Sequence, residues 1–208
     1  MSNGDVFSDI AARYDRINRL LSLGRDQAWR RRVVAHLPAG RRLDLGGGTG
    51  AANPILGPDL VALDPASEML ELNPATHRVV GVGETLPFAD GSFDAVFSAY
   101  VFRNLDSIDT TLAEVARVLR SGGKAGVVDL GRPEVGWQRS LHRAGSAVIL
   151  PAVGAATGAR EEYTYLHHSL DSLPQPQELY ADALLEIEDL WRMGPFGFVY
   201  GVILAKPQ

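Results

Sequence analysis

A doubly wound α/β fold, an open and mostly parallel sheet with helices on both faces, is what this sequence predicts. Three observations predict it. From residue 42 onward, short apolar runs alternate with amphipathic helical stretches. The first run ends in Asp44-Leu45-Gly46-Gly47-Gly48-Thr49-Gly50, a glycine-rich turn that lets backbone amides approach a ligand closely. The second run ends on an acid, Asp64, at the strand end where an open α/β sheet places its ligand crevice.

Each element has its own justification. Val6, Phe7, Ile10, Tyr14, Ile17, Leu20 and Leu21 recur at helical spacing with arginines between them, so an amphipathic helix is expected up to Gly24. A second helix, about Asp26 to His36, carries Trp29, Val33 and Val34. Both precede the first strand and are expected to form a helical lid, residues 1–40. Strand one is Arg42–Leu45 and strand two Asp59–Asp64, joined by a stretch that Pro54 and Pro58 interrupt. Helix Pro65–Leu72, strand Arg78–Val82 and strand Phe93–Ala99 follow. A helix from Ser107 to Leu119 presents Ile108, Leu112, Val115 and Ala116 on one face, Gly122-Gly123 ends it, and strand five is Lys124–Leu130. Residues 133–175 break the alternation with helical stretches at Gly136–Ile149 and Arg160–Leu170, read as an inserted substrate cover. Helix Gln177–Leu185 and strands Glu186–Met193 and Phe198–Ala205 close a single domain of 208 residues, with 41–132 as its cofactor-binding core and 176–208 as its closing part.

Composition narrows the function classes. The chain has no cysteine, so thiolate metal sites and disulfides are excluded, and no metal site is expected. The first residues are not read as a signal peptide, and no window reaches the roughly 18 apolar residues of a membrane span, so a cytoplasmic location is expected. Net charge is −5, but residues 1–42 hold nine Arg against four Asp. That basic segment suits acidic lipid headgroups or plain solvated helix faces, and the acidic remainder argues against nucleic acid.

Two cofactors compete for the glycine turn. Gly46-x-Gly48-x-x-Ala51 with Asp64 matches the dinucleotide fingerprint. Asp44, however, stands two residues before the first glycine, where dinucleotide binders place an apolar residue, and Asp-x-Gly-x-Gly-x-Gly resembles motif I of S-adenosylmethionine-dependent methyltransferases. On that resemblance Gly46, Gly48 and Thr49 admit the ligand, Asp44 orders the amino-acid end, and Asp64 accepts from both ribose hydroxyls. The plainer reading of Asp64 is a helix cap ahead of Pro65.

Four blocks carry a closer likeness: Val6-Phe7-Ser8-Asp9-Ile10-Ala11-x-Arg13-Tyr14-Asp15, Gly83-Glu84-Thr85-Leu86-Pro87-Phe88, Phe102-Arg103-Asn104-Leu105 and Tyr163-Thr164-Tyr165-Leu166. Together they resemble the demethylmenaquinone and ubiquinone-precursor C-methyltransferase family over nearly the whole chain. The resemblance implies a Rossmann-like class I methyltransferase fold with a seven-stranded sheet. It implies S-adenosyl-L-methionine as cofactor, a lipidic quinol as acceptor, peripheral membrane contact through the basic amino-terminal helices, and leaves a homodimer open. Tyr14, Arg103 and Asn104 match the family's active-site positions, and Gly83 and Glu84 its adenine region. Arg103 stays protonated at neutral pH, so it is expected to stabilise an oxyanion or order a water rather than act as base. His167, His168, Asp129 and Tyr14 remain candidate bases; a loop anchor is the plainer role for Arg103 and Asn104, and core packing for Tyr163, Tyr165 and Leu166. The chain departs from the family at Val82, where a small polar or acidic residue is common, at Tyr100-Val101-Phe102 in place of Phe-Gly-Leu, and at Asp129-Leu130-Gly131 in place of Glu-Phe-Ser. Those departures leave open another small phenolic acceptor, or a cofactor-binding protein without catalysis.

Overall fold

The computed structural model describes residue 22, residues 24–157, residue 170, residues 173–181 and residues 184–207. The expected amino-terminal helix with Tyr14, and the block from Tyr163 to His168, lie outside the described residues.

Seven strands form one sheet in the order β3-β2-β1-β4-β5-β7-β6. They are β1 (Arg42–Leu45), β2 (Leu60–Asp64), β3 (His77–Val80), β4 (Phe93–Ala99), β5 (Leu119–Leu130), β6 (Glu186–Met193) and β7 (Val199–Ala205). β1 to β5 pair in parallel, while β7 runs antiparallel to both β5 and β6. Strand order reverses between β1 and β4, so their carboxyl ends diverge into the crevice that such sheets use for ligands.

The pleat sorts side chains between two cores. Leu43, Leu45, Val61, Leu63, Val96 and Val127 face helix α4 (Ile108–Val118), whose Leu112, Val115 and Ala116 complete one cluster. Ala95, Phe97, Val128 and Ile203 face the other way, onto Trp29, Val33 and Val34 of helix α1 (Asp26–Val34). Because Leu43 and Leu45 belong to the first face, Asp44 between them belongs to the α1 face. α1 is pressed so closely there that a Cβ on Gly126 of β5 would lie 2.6 Å from Val33 Cγ1. The described part of the expected lid is therefore a packed layer of the sheet, and its first turns, with Asp26, Trp29 and Arg30, reach the walls of the crevice.

Boundaries shift for local reasons. The connection between β1 and β2 contains only the one-turn helix α2 (Asn53–Leu56), with Pro54 at its start and Gly57 at φ 86° ending it. α3 (Ser67–Glu71) is shorter than expected. β5 begins at Leu119 rather than Lys124, because Leu119 pairs with Phe93 before a register shift, and Gly122 at φ 71° absorbs the loop. Helix α5 (Gly136–Thr157) runs past Ile149, with Pro151 inside it. Near Gln177 only α6 (Pro176–Leu179) is helical among the described residues.

Candidate active site

Two cavities meet at the carboxyl ends of β1 and β4, and Tyr100, directly after β4, lines both. The first, of about 400 Å³, is walled by the glycine turn, Asp64, Gly83, Glu84 and Asn104. The second, of about 480 Å³, is walled mainly by apolar groups from α1, α5 and the segment before β7, with Arg103 among them.

The glycine turn is built as its sequence demands. Gly46, Gly48 and Gly50 adopt φ of 72°, 49° and 87°, a region that side chains enter only with strain. A Cβ on Gly46 would collide with Val101, whereas one on Gly48 would meet nothing nearer than 3.9 Å and would fill the cavity. The turn hangs from its neighbours: the N–H groups of Gly46 and Gly47 donate to Leu63 O, and that of Gly48 donates to Asp64 Oδ2 at 2.9 Å. From below, Asn73 Nδ2 donates to Gly48 O at 2.9 Å, while Asn73 Oδ1 accepts from Asn53 and Ala75.

Asp64 serves two masters. Oδ1 accepts the Ala66 N–H at 2.9 Å in a local turn; it is not the helix cap anticipated ahead of Pro65, because α3 has Ala66 at its N-cap and no side-chain cap bond, and the carboxylate still borders the cavity. Asp44 lies under the turn, 2% exposed, with Oδ2 3.2 Å from where a Gly47 Cβ would be. Burial pushes its pKa up to about 7, with Arg30 opposing and Asp64 adding to the rise. Its Oδ2 has no hydrogen-bond partner among the described residues.

These groups fit S-adenosylmethionine. A buried carboxylate oxygen short of a donor suits the ligand's ammonium, and the open space over Gly48 suits a ligand backbone. Gly83 is required by its neighbours, since a Cβ there would lie 2.8 Å from Thr111 Cγ2. Glu84 borders the cavity too, but its Oε1 accepts from Asp106 N at 2.9 Å and Ser107 N at 3.2 Å, anchoring the loop that carries Leu105. The Leu86-Pro87-Phe88 segment is structural: Arg117 donates to Phe88 O and Leu86 O, and Glu114 accepts the Leu86 N–H.

Arg103 and Asn104 share one 3-10 turn, Phe102–Asn104, and part there: Asn104 borders the cofactor cavity and Arg103 the apolar one. Arg103 Nη1 lies 3.3 Å from Asp129 Oδ1. Asp129 has no exposed surface, and its oxygens also accept the N–H groups of Phe102 and Leu130. Burial raises its pKa, against the pull of Arg103 and those two amides. A carboxylate so enclosed positions Arg103 and is not the solvent-accessible base the sequence allowed.

Three residues of the site escaped sequence reasoning. Asn73 directly follows a predicted helix and precedes Pro74, a helix-end signature that says nothing of the glycine turn it holds. Tyr100 adopts φ 65°, which no sequence pattern marks for a tyrosine. Arg30 reads as one of three consecutive arginines, yet it is 8% exposed and faces the cofactor cavity.

Comparison with known proteins agrees with this geometry. Residues 2–188 match the model of the ubiE/COQ5 methyltransferase family. The chain is 37% identical to a demethylmenaquinone methyltransferase of Thermus thermophilus, covering 85% of this chain and 88% of that one. It is 33% identical to a ubiquinone/menaquinone biosynthesis C-methyltransferase of Geotalea uraniireducens, over 85% and 83%. Among solved structures, a SAM-dependent methyltransferase of Thermotoga maritima superposes with a TM-score of 0.69 over 97% and 99% of the two chains at 18% identity, a likeness of fold alone.

Proposed function

The chain belongs to the ubiE/COQ5 methyltransferase family, and on that premise we propose that it methylates a ring carbon of a demethylated isoprenoid quinol, demethylmenaquinol before all others. The observation that carries the reading is the apolar cavity of about 480 Å³ that adjoins the cofactor cavity at Tyr100 and holds the Arg103 guanidinium. An aromatic ring with a long apolar tail fills such a space, and its one strong requirement is a donor for the ring oxygen next to the reacting carbon.

S-adenosyl-L-methionine supplies an electrophilic methyl group on a sulfonium. The glycine turn and Asp44 would hold its methionine end, Asp64 its ribose, and Gly83 and Glu84 its adenine side, with Thr49 and Asn104 completing the wall. As the acceptor's hydroxyl gives up its proton, Arg103, braced by Asp129, would stabilise the phenolate oxygen, and the phenolate's electron donation into the ring would make the neighbouring carbon nucleophilic at the junction of the two cavities. The new carbon–carbon bond would form as the carbon–sulfur bond breaks, the ring proton would then leave that carbon to restore aromaticity, and the oxygen would regain a proton, giving the methylated quinol, S-adenosylhomocysteine and one proton released overall. Tyr14, His167 and His168, which lie outside the described residues, remain candidates for taking the ring proton, none of them chosen above the others.

No helix among the described residues is long and apolar enough to cross a membrane. A cytoplasmic enzyme touching the membrane peripherally is the arrangement we favour, because Trp137, Leu141, Val148 and Ile149 of α5 are exposed, and Leu141 and Ile149 rim the acceptor cavity. Flotation with anionic vesicles tests that contact; no binding would remove it. The acceptor is tested by quinone profiling in a strain lacking its own quinone C-methyltransferase. Restored methylated menaquinone is the expected result, and soluble expression without it would defeat the assignment. Tyr100-Val101-Phe102 at the junction favours a second reading, another small phenolic acceptor, which turnover of such phenols in place of demethylmenaquinol would support.

A further inference from the structure

Arg30 stands on the inward shoulder of α1, one turn before Val33 and Val34, and the same stripe that buries those valines buries the arginine to 8% exposure. A buried guanidinium needs acceptors for its five N–H groups. Among the described residues Arg30 Nε has no hydrogen-bond partner, and the nearest acid, Asp26, is 4.0 Å away. The face of Tyr100, with its centroid 5.1 Å from the guanidinium carbon, fixes the plane of the group but accepts none of its hydrogens in-plane. The group borders the cofactor cavity beside the glycine turn. Asp44, on the same α1 face of the sheet, is the complementary case: a buried carboxylate whose Oδ2 lacks a donor.

We propose that Arg30 clamps the α-carboxylate of the cofactor's methionine end, while Asp44 takes the adjacent ammonium and the Tyr100 ring holds the guanidinium flat. One buried cation at the cavity wall and one buried anion beneath the glycine turn that forms that wall, each short of a partner, complement a zwitterion. A pyrophosphate would satisfy Arg30 but face Asp44 and Asp64, and a simple amine would satisfy Asp44 alone. The inference rests on the cofactor assignment above and adds to it the residue that selects an amino-acid end.

Titration calorimetry with the full chain tests it using three ligands: S-adenosylhomocysteine, its decarboxylated analogue, and 5′-methylthioadenosine, which lacks the amino-acid end. In the wild type, loss of the carboxylate is expected to weaken binding about tenfold or more. Arg30→Met is expected to weaken S-adenosylhomocysteine by the same factor, to leave 5′-methylthioadenosine unchanged, and to erase the difference between S-adenosylhomocysteine and its decarboxylated analogue. Arg30→Lys should recover part of the loss, since it restores the charge without the fork. Equal loss for all three ligands in Arg30→Met would mark a structural role and overturn the clamp. Should that variant not fold, the wild type decides alone, because equal affinity for the carboxylated and decarboxylated ligands also overturns it. Failure of the wild type to bind any of the three would defeat the cofactor assignment itself, independently of what acceptor is turned over.

Discussion

Arg103 and Asp129 form an ion pair at 3.3 Å in which the arginine borders the acceptor cavity and the carboxylate has no exposed surface. The arrangement orients a permanent cation without lending it a base. The Phe102 N–H and Arg103 tie the turn to the end of β5 at two points on this carboxylate, and the adjacent Leu130 N–H, on β5 itself, holds the carboxylate in place.

Asp129→Asn is therefore expected to do two things. It leaves Arg103 buried beside a neutral amide whose NH₂ must face a donor, which costs about 3 kcal/mol of folding stability. It also removes the charged partner that orients the guanidinium, so turnover should fall at least a hundredfold, roughly the effect of losing one oriented donor, while adenosylmethionine affinity holds. Urea unfolding, single-turnover rates and calorimetry read the three quantities; unchanged unfolding would deny Asp129 its bracing role.

The fold was legible because its signals are local. Alternating runs, the Gly46–Gly50 turn and the acid at Asp64 each follow from a few consecutive residues, and the sheet adopts the expected architecture around them. The floor of the site was less legible because it is made by distant residues. Asn73 meets the glycine turn across 25 positions and Glu84 meets Ser107 across 23. Arg30 carries the same helical arginine signature as Arg31 and Arg32, both exposed, and only the pressing of α1 onto the sheet turns it inward.

Asp44 links cofactor binding to pH. Folded, it holds its proton up to about pH 7, while the unfolded chain releases it near its ordinary value of 3.8. Between those values the native state binds more protons, so the stability Asp44 contributes to the cofactor-free protein falls as pH rises through that window. Cofactor affinity runs the other way, because an ammonium calls for the carboxylate. It should rise about tenfold per pH unit below pH 7, level off above it, and release a proton at pH 6. Calorimetry in buffers of different ionisation enthalpy counts that proton, and Asp44→Asn should abolish both the release and the slope.

Gly46 and Gly48 are expected to separate folding from binding. Alanine at 46 must occupy space filled by Val101, at φ 72°, and should destabilise by about 3 kcal/mol. Alanine at 48 bears only the left-handed conformation, about 1 kcal/mol, but places its methyl where the ligand lies. Thermal unfolding and cofactor titration of both variants check this. Similar stabilities with similar affinities would contradict the open space over Gly48.

Tyr100 is where sequence departure and structure converge. It stands where the resembled family commonly has Phe, adopts φ 65°, and buries a hydroxyl that has no hydrogen-bond partner among the described residues. Burial drives its pKa well above the usual range, so the group stays a protonated donor. Such a hydroxyl costs about 1 kcal/mol or more in the free protein. Tyr100→Phe should then raise the melting temperature by about 2–4 °C in a chain of this size, and it should leave adenosylmethionine affinity intact, since the ring under Arg30 remains. Set against that gain, the hydroxyl stands beside the junction of the two cavities, so turnover should fall if its donor is spent on the acceptor. Gained stability with lost turnover would make Tyr100 a functional departure from the family; lost stability would mean that the hydroxyl is satisfied within the folded chain.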